Sequence, residues 1–308
     1  MIGDRIEVNI AGGLDVDLPR MVKVRQRFPN EKVDDVAATV VEQFRRPELR
    51  AKITPGIRIA VGCGSRGVAN VAECAKTVIA ELKSMGAQPF IFTARGSHGS
   101  ASAEGQVKVL DSLGISEETM GCPIQSSMEV VELGKLADGT PIWCDRHAAE
   151  ADAIALICRV KAHTNFRAPI ESGIVKMLVI GMGKIAGATA MHWHGFDAFK
   201  DLLPKAGQFI MEKKNFLFGV AMVENAADET ALVEIVPSEN VLQRETELLA
   251  LSRELMPRLQ FDEIDVLVVD RMGKNITGAG MDPNVVGRNA RGTDWEARPY
   301  VKKIAVLG

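Results

Sequence analysis

The sequence predicts an α/β protein: a mostly parallel sheet with helices on both faces, Rossmann-like, followed by a second α/β segment that is incomplete. Three observations predict it. Short apolar runs rich in β-branched residues recur from residue 57 onward, each of strand length. Stretches with helical apolar spacing separate them, and a β-loop-α-β-loop-α order implies parallel strands joined by right-handed crossovers. Apolar residues make up 46% of the 308 and charged residues 25%, the composition of a packed globular chain.

The elements follow in order. IRIAVG (57–62) reads as a buried strand, and after the loop CGSRG a helix carries Val68, Val71, Ala75, Val78, Ile79 and Leu82 at helical spacing. PFIFTA (89–94) is the next strand; RGSHGSAS leads into a helix from about Glu104 to Leu113. MEVVELGKL and PIWCDR read as a hairpin on an Asp-Gly turn. AIALICRV (153–160) is a third buried strand, ending in the polar loop KAHTNFRAPIESG. FLFGVAMVE and ALVEIVP are further strands, and a helix runs from about Asn240 to Met256, with Pro257 as its stop. A boundary falls near Gln260. Residues 1–259 are expected to form the cofactor and catalytic domain, and 260–308 to open a second domain with strands DEIDVLVVD and VKKIAVLG. The 48 residues after Gln260 are too few for an independent core, so completion elsewhere is expected.

Composition removes several function classes. Lys+Arg (37) nearly balances Asp+Glu (40), so the net charge of −3 gives no pull towards nucleic acid or an anionic membrane. No apolar run reaches the ~18 residues of a membrane span. One tyrosine and 5% aromatic residues make a base-stacking platform a poor fit. Five scattered cysteines, never in a C-x-x-C pair, point to a reducing cytosol rather than a disulfide framework or zinc knuckle. The expected partner is a small molecule, and a homo-oligomer is compatible with the composition.

Open α/β sheets bind ligands beyond the carboxyl ends of their strands. Here those loops hold Arg66 after the first strand, His98 after the second, and Lys161 and His163 after the third. If the strands are neighbours, a guanidinium suited to an anion meets two imidazoles able to move protons near pH 7. Each alone reads equally well as an ordinary loop residue bonded to backbone. GIVKMLVIGMGKIAG (173–187) has two readings. Gly181-Met182-Gly183 with Gly187, after a strand KMLVI, resembles a dinucleotide turn, although no acidic residue follows at the ribose-binding distance. Alternatively Lys176, opening an element after Ser172-Gly173 among apolar neighbours, is a desolvated nucleophile or a snorkelling surface lysine. His192 and His194 make the densest histidine spot, a metal chelate if extended and a single ligand if helical. His147 reads as a residue at a helix start, and Asp145 and Glu150 as solvated carboxylates. Of the cysteines, Cys63 alone is placed to matter.

Taken together, these residues resemble the nickel-pincer-nucleotide-dependent lactate racemase family over roughly residues 55 to 200: arginine in the first strand-end loop, G-S-H-G in the second, A-E-A-D before the third strand, then a histidine and S-G-x-x-K. The resemblance implies that Arg66 holds the substrate carboxylate and that His98 and His163 are the acid/base pair. It implies that Lys176, within Ser172-Gly173-Ile174-Val175-Lys176, attaches a nickel-pincer nucleotide as a thioamide. His192 would ligate the nickel, with His194 as the fallback, and Lys274 would enter the site from the C-terminal domain. Cys63 stands where the family has an acidic residue. The implied activity is racemisation or epimerisation of a 2-hydroxy acid in the cytoplasm. The alternatives are an NAD(P)-dependent oxidoreductase using Gly181-Met182-Gly183 and a non-catalytic binding protein on the same scaffold.

Overall fold

The computed structural model describes residues 20–64, 67–273, 275–288 and 298–308. The chain enters through α1 (Val36–Phe44), whose start is capped by the Asp35 carboxylate accepting the Ala38 N–H at 2.7 Å, and a short α2 (Pro47–Arg50). Then come β1 (Arg58–Cys63), α3 (Val71–Ser84), β2 (Gln88–Thr93), α4 (Ala103–Ser112), α5 (Glu117–Met120) and β3 (Ile124–Gln125). A hairpin, β4 (Val130–Lys135) and β5 (Pro141–Asp145), precedes α6 (Arg146–Ala149) and β6 (Ala153–Arg159). Helix α7 (Ile174–Lys176) runs on through a π-turn (Met177–Gly181) to α8 (Lys184–His192) and, after a 3₁₀ turn, α9 (Phe199–Lys213). The chain closes with β7 (Phe216–Glu224), β8 (Thr230–Pro237), α10 (Val241–Leu255), β9 (Glu263–Val269), α11 (Pro283–Val286) and β10 (Tyr300–Val306).

Six strands form one sheet in the order β3-β2-β1-β6-β7-β8. Every neighbouring pair is parallel except β7–β8, so the α/β class and the mostly parallel sheet are as expected. Both faces are covered, which is why the strands read as unbroken apolar runs. Ile59, Val61 and Ile91 face a core with Val40 and Phe44 of α1 and Val78, Ile79 and Leu82 of α3. Ala60, Phe92 and Leu156 face the other core, with Ile174, Leu178, Leu203, Ile210 and Leu248 from α7 to α10. At Gly62 a Cβ would lie 2.5 Å from Leu156 and 2.8 Å from Phe92, so the central strand needs glycine to admit both. The predicted hairpin forms antiparallel about Asp138-Gly139, with Gly139 at φ +86. Strands β9 and β10 make a separate parallel pair.

One expectation is corrected. KMLVI is helical, not a strand. Ile174, Val175, Leu178, Val179 and Met182 are all buried, a recurrence at one, four, five and eight that is a helical face. Its β-branched content suggested a strand; its period decides for a helix. The segments Ile174–Gly181 and Lys184–His192 meet at a 105° bend. Gly181-Met182-Gly183 therefore lies between two helical segments, not between a strand and a helix, and the dinucleotide reading loses its structural context. No single helix among the described residues is long and apolar enough to cross a membrane.

Candidate active site

Strands β2, β1 and β6 are adjacent and parallel, so the loops that leave them share one edge of the sheet. The connection after β1 leads to α3 on one face, and that after β6 to α7–α9 on the other. The chain thus parts between β1 and β6, the switch point at which such sheets open a crevice. His98 follows β2 and His163 follows β6, flanking β1. Two strand spacings put their loops roughly 10 Å apart, room for a small molecule. Arg66 belongs to the loop after β1, but it and Lys274 lie outside the described residues.

The loop after β6 is built around two buried carboxylates that the sequence reading missed. Glu171, fully buried, accepts the His163 N–H at 2.7 Å and the Ala168 N–H at 2.9 Å, and pairs with Arg253 at 2.6 Å and Arg167 at 3.6 Å. It fixes the backbone that presents His163. Arg167 adds a bond to the His163 carbonyl at 2.9 Å, and from the C-terminal segment the Asn284 amide reaches the same carbonyl at 3.3 Å. Lys161 pairs with Asp282 at 3.2 Å. Ser172 clamps Lys161, its Oγ accepting the N–H at 2.7 Å and donating to the carbonyl at 2.5 Å.

Glu245 of α10 explains the rest of S-G-x-x-K. It is fully buried and accepts the Val175 N–H at 2.9 Å, capping the first turn of α7. Gly173 sits at φ +94, and a Cβ there would lie 1.9 Å from the Glu245 Oε1. Only glycine lets the carboxyl approach the helix start. Burial pushes the Glu245 carboxyl up to about 8 against the pull of the Val175 and Ile174 N–H groups, so it is largely protonated at neutral pH.

Lys176, His163 and His192 meet around three phenylalanines. Lys176 Nζ lies 5.6 Å from the centre of the Phe166 ring. His163 lies 4.4 Å from Phe166 and 6.2 Å from Phe196, ring centre to ring centre. His192 lies 5.6 Å from Phe196 and 5.1 Å from Phe199, and the three phenylalanine rings are stacked at 5.2–5.9 Å. His163 Nδ1 accepts the Asn165 N–H at 3.1 Å, so a neutral ring carries its proton on Nε2. His192 Nδ1 lies 2.6 Å from the Ala188 carbonyl, which fixes Nε2 as the nitrogen able to face a metal. His194 is engaged elsewhere, with Thr140 at 2.9 Å. No group of three His, Cys, Asp or Glu that could hold a metal is found among the described residues.

The β2 side is held by buried charge. Lys184, fully buried at the helix bend with φ +54, donates to the Thr93 carbonyl, to Thr93 Oγ1 at 3.0 Å and to Gln106 Oε1 at 3.0 Å. It pairs with Asp145 at 3.1 Å. Burial lowers the Lys184 pKa against the upward pull of Asp145. Gln106 Nε2 in turn donates to the Gly96 carbonyl at 2.9 Å and the His98 carbonyl at 3.3 Å. Gly96 N–H meets the Gly181 carbonyl at 2.9 Å, tying the His98 loop to the π-turn after Lys176. Asp145 is thus not the solvated carboxylate expected: it is fully buried, caps α6 through the His147 and Ala148 N–H groups, and pairs with Lys184. The capping signature D-R-H-A-A was legible. Its partner, 39 positions on, was not. Cys63 is buried, and burial pushes its thiol up to about 12.

Comparison with known proteins agrees with this architecture. The family model for the lactate racemase N-terminal domain matches residues 14–200, more than half of the chain. The structure of the lactate racemase apoprotein from Thermoanaerobacterium thermosaccharolyticum is similar at a TM-score of 0.53 and 11% identity, over 78% of this chain and 60% of that one. That likeness shows the fold, and this chain spans about three fifths of the length of that protein. No curated protein matches the sequence. With a match over residues 14–200 and the same fold, the chain belongs to the lactate racemase N-terminal domain family.

Proposed function

We propose that the protein is a racemase or epimerase of a 2-hydroxy acid, an isomerase that works with a nickel-pincer nucleotide. The observation that carries this reading is the arrangement of two histidine loops on either side of the central strand, with Lys176 and His192 joined to one of them through Phe166, Phe196 and Phe199. The family membership supports it. The residues fit the group: Lys176 is the attachment point, Ser172 and Gly173 shape its helix start, and His192 Nε2 is the ligand left available by the Ala188 contact. When bound, such a group supplies a hydride acceptor for the hydrogen at C2.

The chain's own residues then do the rest. Inversion at C2 passes through a planar keto acid, so the hydroxyl proton must leave towards one face and return from the other. His98 and His163, on opposite sides of β1, are assigned to these two proton transfers. Arg66 is assigned to the substrate carboxylate, which a guanidinium holds by parallel hydrogen bonds, and Lys274 to the side of the site contributed by residues 260–308. Those residues are read as the opening of a second domain. The five cysteines, all buried and without disulfides, suit a reducing cytosol.

The test is to produce the protein alongside the enzymes that build the cofactor, then measure nickel, intact mass and inversion of a panel of 2-hydroxy acids. Wild type is expected to carry nickel and an added mass and to invert at least one acid. Lys176→Arg is expected to fold and to lose both mass and activity, because a guanidinium cannot form the thioamide. Unmodified protein that inverts the acid at full rate would overturn the assignment.

A further inference from the structure

Arg95, at the carboxyl end of β2, is a buried cation with unused donors. It is 2% exposed, and its Nη2 donates to the Gly64 carbonyl at 2.6 Å, so the guanidinium crosses from the end of β2 to the end of β1. Its Nε and Nη1 are buried and have no hydrogen-bond partner among the described residues. Unpaired N–H groups on a buried charge are expensive, and a chain that keeps them has a use for them.

Nor do the described residues offer a counter-charge. The buried carboxylate on this side, Asp145, is paired with Lys184, whose own charge Arg95 disfavours. The group that favours the Arg95 charge is the Cys63 thiol, which burial keeps protonated at neutral pH. Burial lowers Arg95 to about 10, so it stays cationic there. Asp145 is taken by Lys184, and Arg95 has no ion pair among the described residues, so its positive charge is left unbalanced there. Beside them the loop holds Gly99, Ser100 and Ala101 at φ +69, +56 and +53, a left-handed run that is strained at the two L-residues.

We propose that Arg95 is a second anchor for the carboxylate of the 2-hydroxy acid, in addition to the role assigned to Arg66, through the unused Nε–H and Nη1–H donors at the joined ends of β2 and β1. This rests on the reading given under Proposed function. Its location supports a carboxylate: Arg95 lies three residues before His98 and beside the crevice between β1 and β6. The donors are covered, so entry of the carboxylate requires the residues over them to move.

Two variants test it on cofactor-free protein. Thermal shift and calorimetric titration with lactate and pyruvate, against neutral lactamide and inorganic phosphate, are compared for wild type, Arg95→Met and Arg95→Lys. Wild type is expected to be stabilised by the two acids and not by lactamide. Arg95→Met removes an unpaired buried charge, so it is expected to melt no lower than wild type while binding the acids at least tenfold more weakly. Arg95→Lys, which keeps charge but not the spread of donors, is also expected to bind at least tenfold more weakly, and decides the matter if the methionine variant fails to fold. Undiminished acid binding in a folded variant would overturn the inference, as would an Arg95-dependent response to phosphate alone. Cofactor-loaded wild type that inverts no acid would sink the racemase reading, while the titration would still decide what Arg95 binds.

Discussion

The two sides of the crevice are built on opposite principles. On the β6 side, His163, Lys176 and His192 rest on stacked phenylalanines, and the buried carboxylate of Glu171 meets two backbone N–H groups and two arginines. On the β2 side, the backbone that carries His98 hangs from a buried chain of charge, Asp145 to Lys184 to Gln106, with Arg95 only partly satisfied and three successive residues at positive φ. The first is a preformed platform, stabilised by apolar burial and extensive hydrogen bonding. The second holds desolvated charges whose cost is recovered only while every partner is in place. The difference teaches where the site is rigid and where it is vulnerable.

The β2 side breaks most readily. Lys184→Met leaves Asp145 buried without its cation, and loss of one partner of a buried pair costs about 3–5 kcal/mol. Urea denaturation should show that loss, and Lys184→Met combined with Asp145→Leu should recover much of it, since neither charge then remains. A single variant whose stability lies within about 1 kcal/mol of wild type would mean that the pair does not hold this side.

On the β6 side the expected effect is smaller and depends on pH. Glu245 is raised from 4.5 to about 8 in the folded protein. Between those values the native state keeps a proton that the unfolded chain has released, so stability falls as pH rises through this window and levels off above it. Glu245→Gln, neutral throughout, removes this contribution. The stability of wild type relative to the variant should fall by a few kcal/mol from about pH 5 to about pH 8, since each tenfold change in proton affinity is worth about 1.4 kcal/mol. Parallel pH profiles for the two proteins would contradict the buried, protonated carboxyl.

Much of this was legible in the sequence, for physical reasons that also mark the limit. Strands β1, β2 and β6 are buried on both faces, so continuous runs such as IAVG and ALIC identify them. The neighbouring loops could be paired with chemistry because parallel strands deliver their ends to one edge. The segment from Ile174 to Met182 misleads by composition and is rescued by its period. Asp145, Lys184 and Glu245 could not be placed, because their partners come from far along the chain: Lys184 bonds Thr93 91 residues away, and Glu245 meets Val175 at a separation of 70. Local spacing carries no trace of such pairs. Arg95 stood in plain view in R-G-S-H, but its unmet donors are a property of packing, not of sequence.

Assigning His98 and His163 to opposite faces of the substrate is the step on which the racemase reading turns. Inversion rates measured from each pure enantiomer, for His98→Ala and His163→Ala proteins whose cofactor loading matches wild type by mass, test it most directly. On that assignment each turnover uses both histidines, so each variant should lose about 10²- to 10⁴-fold in both directions, the usual weight of a general acid or base. Either variant inverting both enantiomers at close to the wild-type rate would contradict it.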